Sequence, residues 1–220
     1  IDVGYKELTI PANNDATHKL DKNSFHIWPR GKFMFIAMPN LDGSFTCTLF
    51  MPFEGEVSFE SIKTKKDAVD FFNTYFPNVK NEIENLTEDF FKNPTSAMVT
   101  MKCYPWTYWD KVALVGDSAH AVVPFYGQGM NAGFEDIFVL DEIIQEFGDD
   151  WEKIFETYQQ RRKPNADAIA ELSYRNFVEM SSKTADANFL LQKKIEKHFS
   201  AKHPDKWIPA YSRVTFSERP

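Results

Sequence analysis

Lys111-Val112-Ala113-Leu114-Val115-Gly116-Asp117-Ser118-Ala119-His120, followed by Pro124-Phe125-Tyr126-Gly127-Gln128-Gly129-Met130-Asn131-Ala132-Gly133, is the stretch that decides the fold. A short β-branched run stops at a Gly-Asp turn, which predicts a strand with a carboxylate at its end. The glycine-rich loop then opens a long amphipathic segment, so the first N–H groups of a helix face whatever the loop encloses. Glycines at 127, 129 and 133 let a ligand approach the backbone closely. A lone Gly-Asp more often caps the next turn. Joined to this loop, it sets a hydroxyl acceptor beside bare N–H donors.

The loop is not a dinucleotide fingerprint. Gly127-x-Gly129-x-x-x-Gly133 misses GxGxxG by one residue, and the nine glycines form no other such motif and no P-loop. The lysine of a nucleoside triphosphatase is missing, as is a ribose-binding carboxylate at suitable spacing. A flavin fits better: ribityl hydroxyls on the carboxylate, phosphate and ring carbonyls on the N–H groups.

Around this centre the chain has 220 residues, enough for one large or two small domains. Hydrophobic and charged fractions of 43% and 26% are those of a soluble globular protein. A net charge of −7 argues against a nucleic-acid surface. Cys47 and Cys103 stand far apart without a Cys/His cluster, so reduced thiols are expected rather than a disulfide framework, and no metal. No run of 18 apolar residues and no secretory signal occurs. The chain starts at Ile1 directly in strand-like sequence and is expected to be a piece of a longer polypeptide. Twenty-one phenylalanines predict either an aromatic core or a flat apolar pocket for a ring; composition alone favours the core.

Upstream, residues 5–11 alternate like an edge strand ended by Pro11, and 12–24 is a polar loop. Phe25–Trp28, Lys32–Met38 and Ser44–Met51 are strand-like, with Asp42-Gly43 as a hairpin signal. On 32–38 both faces are apolar, so a helix or a bound ring must cover the second. Val69, Phe72, Tyr75 and Phe76 mark a helix ending at Pro77. Met98–Lys102 and Val112–Val115 are expected strands. Helical periodicity follows from Met130 to Gly148, then from Trp151 to a stop at Arg161-Arg162-Lys163-Pro164, with two more helices over 165–181 and 186–200. The expected class is α+β with part of an α/β FAD-binding domain: an antiparallel substrate-domain sheet over 1–97, a strand–loop–helix flavin motif over 98–148, and a helical C-terminal region over 149–220.

Gly116-Asp117-Ser118-Ala119-His120 with Pro124 and Gly127–Gly133 resembles the second flavin motif of the class A flavoprotein aromatic hydroxylases. Pro124 to Asp136, His26-Ile27-Trp28-Pro29-Arg30, Phe45–Phe53 and Asn176-Phe177-Val178-Glu179-Met180 are similar to the members that act on kynurenine, and the likeness runs from about Tyr5 to Phe216. The resemblance implies hydroxylation of L-kynurenine to 3-hydroxykynurenine with FAD, NADPH and O2. It implies that Asp117 binds the ribityl hydroxyls and that Gly129, Met130, Asn131, Ala132 and Gly133 offer backbone to the flavin. Pro124, Phe125 and Gln128 would shape the flavin and substrate pocket, with no acid–base residue. Asn176 and Tyr211 would contact kynurenine, with Glu179 and Met180 nearby and Ile36, Phe50 and Phe125 against its ring. On helical spacing, Asn176 and Glu179 share the apolar stripe of Ile169 and Leu172, where polar groups need partners.

The family's GxGxxG half, its second nucleotide signature and its substrate-gripping arginine are missing from this sequence. The chain alone is therefore expected to be inactive and to retain no FAD, with the N-terminal segment of the same protein as its partner. The resemblance also implies the cytosolic face of the mitochondrial outer membrane, reached only through a C-terminal segment absent here. A related flavin hydroxylase with another ring substrate, or a non-enzymatic aromatic-rich binding domain, are the alternatives. His120 is expected to pack or hydrogen-bond, and Trp106, Tyr108 and Trp109 to end packed strands.

Overall fold

The structure, a computed structural model, describes residues 2–216. Two compact units arise: one runs up to Met98 and includes Glu179–Leu190, the other comprises Val99–Val178 and the chain from Leu191 onward.

The first unit is an antiparallel sheet backed by helices. Its strands are β1 (Val3–Ile10), β2 (His26–Pro29), β3 (Met34–Pro39), β4 (Phe45–Pro52) and the two-residue β5 (Ser96–Ala97), in spatial order β2-β3-β4-β1-β5. Gly43, at φ +89°, turns the chain from β3 into β4; a Cβ there would lie 2.4 Å from the Ala16 carbonyl oxygen, so only glycine fits. Register aligns Leu8 with Cys47 and Ala37, and Ile10 with Phe45, putting one apolar stripe on a single face. That face is covered by α1 (Lys65–Tyr75), α2 (Pro77–Lys80) and α3 (Leu86–Lys92), which contribute Ala68, Phe71, Phe72, Val79, Leu86 and Phe90. Phe35 meets Phe72 edge-on at 5.6 Å and Phe33 meets Tyr75 at 5.0 Å. Each buried Phe stabilises the unit by about 1.5–3 kcal/mol. Seven of the 21 phenylalanines are buried in this core. α1 starts at Thr64, whose hydroxyl accepts from Asp67 N while Asp67 reaches back to the Thr64 N–H.

Lys6 falls on the core face, and its ammonium finds the Asn93 carbonyl at 2.6 Å; burial lowers its pKa. β1 is not the expected edge. It pairs with β4 along its whole length and with β5 at Gly4 and Tyr5, so its alternation reflects one helix-covered face. Tyr5, Met34, Ile36, Thr46, Thr48 and Phe50 line the opposite face.

The second unit opens with a hairpin of β6 (Thr107–Tyr108) and β7 (Val112–Ala113). α4 (Asp117–His120) follows, then a 3-10 turn at Pro124–Tyr126, α5 (Gly129–Phe147) and α6 (Trp151–Ser182). After α6 come α7 (Ala187–Lys202) and α8 (Ala210–Phe216). The expected strand over 98–102 does not form: among the described residues no strand lies beside it, and Met101 N donates to Ala121 O at 2.7 Å instead. β7 is limited to Val112–Ala113, and Leu114 N carries its pairing one step further by donating to Trp106 O at 2.8 Å.

Pro164 does not end a helix. α6, 32 residues long in all, runs on through it. Ile154, Tyr158, Arg162, Ala166, Ala170, Ser173 and Phe177 recur at intervals of three or four residues and are all buried, while Pro164 lies exposed on the other side. A continuous buried stripe outweighs the roughly 3 kcal/mol cost of one interior proline. Arg162 is consequently a mid-helix core residue and not a helix C-terminus. Trp106, Ile143, Ile154 and Tyr158 form the centre of this unit's core.

Candidate functional site

Gly116 adopts φ 60°, ψ −139°, a conformation reserved for glycine. It turns the chain sharply and presents Asp117 at the first position of α4. The Asp117 carboxylate is exposed and makes no hydrogen bond or ion pair among the described residues. Gly127, at φ +67°, ends the 3-10 turn and delivers the chain to α5. No side chain caps α5, and its first intrahelical bond is Ala132 N to Gln128 O at 2.8 Å. The N–H groups of Gly129, Met130 and Asn131 precede that bond; the Ala132 N–H is already used within the helix. Gly133 lies against Gly116: a Cβ on it would sit 3.7 Å from the Gly116 Cα. The carboxylate turn and the helix N-terminus are thus close neighbours.

A cavity of about 440 Å³ opens beside the start of α5, lined in part by Gln128, Asn131, Ala132, Glu135, Arg162 and Asn165. An uncompensated helix N-terminus, a partner-free carboxylate and glycines at the approach match the donors and acceptors of a flavin's phosphate, ribityl chain and ring carbonyls. Among the described residues no His/Cys/Asp/Glu group could hold a metal ion.

On the far side of the loop, Phe125 packs against Phe177 with centroids 4.6 Å apart and the rings tilted by 34°. Its carbonyl accepts a 2.6 Å bond from Asn176 Nδ2, which fixes the amide. Tyr126 lies 5.1 Å from Tyr211 on α8. Phe125, Asn176 and Tyr211 are therefore gathered around one loop, with Pro124 exposed on it. Glu179 and Met180 follow Asn176 on α6 by three and four residues and are half-buried. Ile36 and Phe50 lie on the sheet face opposite α1–α3, at 7% and 3% exposure. A cleft of about 1030 Å³ in the first unit, lined by Arg30, Lys32, Glu54 and Glu56 among others, contains none of the candidate residues.

The largest polar feature of this region escaped sequence reading. Asp136, fully buried on α5, accepts from Gly116 N at 3.0 Å, His120 Nε2 at 2.5 Å and Arg162 Nε at 2.8 Å. Burial alone would raise its pKa, but the bonds from His120, Arg162 and Gly116 outweigh that and hold it below the usual carboxylate value. The signal was present: Arg162 shares a helical face with Ile154, Tyr158 and Ala166, and a charge on an apolar stripe requires a partner. His120 is a hydrogen-bonding residue, as expected.

Residues 78–173 match the family model described as FAD binding domain. The kynurenine 3-monooxygenase of Christiangramia forsetii is 74% identical over 219 residues, covering 100% of this chain and 49% of that protein. The protein of the same name from Sus scrofa is 45% identical, covering 97% of this chain and 45% of its own length. The chain thus spans about half the length of the curated relatives it matches. Among solved structures, Pseudomonas aeruginosa PqsL in complex with 2-aminobenzoylacetate superposes with a TM-score of 0.64 at 15% identity, over 86% of this chain and 51% of that one. Klebsiella pneumoniae HpxO complexed with FAD and uric acid gives 0.61 at 16%, over 88% and 48%. The fold is shared with about half of each of these solved structures, and along its whole length the sequence resembles kynurenine 3-monooxygenase.

Proposed function

We propose that this chain is about half of a flavin-dependent monooxygenase that hydroxylates L-kynurenine to 3-hydroxykynurenine with NADPH and O2. The carrying observation is the pairing of the partner-free Asp117 with the uncapped start of α5, in a chain that aligns end to end with kynurenine 3-monooxygenases. When bound, FAD supplies the redox and oxygen chemistry. Asp117 accepts from the ribityl hydroxyls. The backbone from Gly129 to Gly133 would hold the flavin, with the N–H groups of Gly129, Met130 and Asn131 as donors. Pro124, Phe125 and Gln128 shape the ring side and exclude water. Asn176, held by the Phe125 carbonyl, and Tyr211 orient the substrate; Glu179, Met180, Ile36 and Phe50 are proposed as further substrate residues on the family resemblance.

The remaining part of such a protein is the proposed partner of this chain. The exposed stripe Met130, Phe134, Ile137 and Phe138 on α5 is an apolar surface suited to it. No helix among the described residues is long and apolar enough to cross a membrane. The cytosolic face of the mitochondrial outer membrane, which the resemblance implies, remains the proposed location, and the likeness to the Sus scrofa protein is compatible with it.

The test is FAD titration of the full-length protein and its Asp117→Ala variant. The variant should bind FAD at least about tenfold more weakly, while its apo stability stays within about 0.5 kcal/mol of wild type because Asp117 is exposed and unpaired. A wild-type protein that takes up no flavin, or a variant that binds it equally well, would overturn the reading.

A further inference from the structure

Asp136 draws four segments onto one buried carboxylate: its own helix α5, the Gly116 turn, α4 through His120 and α6 through Arg162. A carboxylate only accepts, so His120 Nε2 carries the proton in its bond. Arg162, 1% exposed, extends the cluster: Nη2 donates to Ala132 O at 3.3 Å in the first turn of α5, and Nη1 lies 2.9 Å from Glu135 Oε2, within ion-pair distance but not aligned for a hydrogen bond. Tyr158 passes beside them and donates to Leu114 O at 3.1 Å; burial and the Asp136 charge push its phenol up.

Buried charges are a poor way to glue helices, since well-packed apolar residues of the same volume do as well or better. What they supply is direction. One end of this cluster grips the Gly116 N–H, next to Asp117, and the other grips a carbonyl in the turn that offers N–H groups. Resting on the flavin reading above, we propose that Arg162 is a positioning residue for the cofactor: acting through Asp136, it holds the Gly116–Asp117 turn and the first turn of α5 at the spacing a flavin requires. Arg161, its neighbour in sequence, pairs outward with exposed Glu146 and has no part in this.

The test measures FAD affinity and apo-protein melting in the full-length protein for Arg162→Lys, Asp136→Asn, the double variant and the control Arg161→Lys. Lysine keeps the charge of Arg162 but not its planar fork. Each single variant should weaken FAD by about 10- to 100-fold, the range for residues that orient ligand-holding groups. Arg162→Lys should melt close to wild type, while Asp136→Asn, which leaves Arg162 and His120 without their buried carboxylate, should melt lower, its FAD loss being read under conditions where the apo protein is fully folded. The double variant should be no worse than the weaker-binding single, because both break one path. Arg161→Lys should stay within about twofold. Folded Arg162→Lys with wild-type affinity overturns the proposal, as do additive effects, or affinity losses that track unfolding. Should the variants not fold, amide exchange of apo wild type decides: Gly116 N–H should be protected, and rapid exchange there overturns the proposal. A wild type that binds no FAD removes the flavin reading itself, a result distinct from all of these.

Discussion

Replacing Gly116 with alanine tests the turn at its narrowest requirement. At φ 60°, ψ −139° a Cβ is sterically disfavoured, and holding a non-glycine residue there costs about 1–3 kcal/mol. Space is not the obstacle: the new Cβ would meet nothing nearer than the Gly133 Cα at 3.9 Å. Nor can the backbone rotate away cheaply. Gly116 N donates to Asp136 Oδ2 at 3.0 Å, and its carbonyl accepts from Ala119 N at 2.9 Å and His120 N at 3.0 Å. Relaxing the turn would strip a donor from a buried carboxylate, itself a loss of about 1–3 kcal/mol. Whichever is smaller sets the cost, so Gly116→Ala should lower unfolding free energy by about 1–3 kcal/mol in urea titration, a factor of about 5 to 150 in the folding equilibrium. FAD affinity should fall as well, since Asp117 moves with the turn. An alanine variant with wild-type stability and wild-type FAD affinity would refute both the strain and the role of the turn.

Thr64→Ala removes the cap of α1 and should cost about 1 kcal/mol in the same titration without touching FAD affinity; an unchanged midpoint contradicts the capping box. The Cys47 thiol is buried and pushed up to about 12, so in native protein at pH 8 it should resist an aromatic disulfide reagent and react only after denaturation. Rapid native labelling of Cys47 would contradict its placement. Asp136 is held below its ordinary value of 3.8 in the folded state, so the unfolded chain binds the proton more readily and stability rises with pH. Its contribution is complete above about pH 5 and is lost as pH falls through 4 and below. The stability gap between wild type and Asp136→Asn should therefore narrow on acidification from about pH 5 to pH 3. A gap that widens over that interval contradicts the sign.

The sheet and the flavin-type turn were legible because each is written locally. Asp42-Gly43 between alternating runs announces its hairpin, and Gly116-Asp117 with three following glycines announces a turn facing a helix start. What was not legible depends on partners far along the chain. Pro164 looks like a terminator until the buried stripe from Ile154 to Phe177 is seen to pass on its other side. Met98–Lys102 has strand composition but no strand to pair with among the described residues. Arg162 sits in an Arg-Arg-Lys run that resembles a helix end, yet its spacing from Tyr158 and Ala166 places it inside, and Asp136 lies 26 residues away. Helical phase, applied to every charged residue and not only to Asn176 and Glu179, would have singled it out.

The most direct test of the central claim is NADPH oxidation by the full-length protein loaded with FAD, with and without L-kynurenine, while 3-hydroxykynurenine is quantified. The account predicts that kynurenine stimulates oxidation and that hydroxylated product forms in proportion to NADPH consumed. Oxidation that kynurenine does not stimulate, or that yields only hydrogen peroxide, would contradict it.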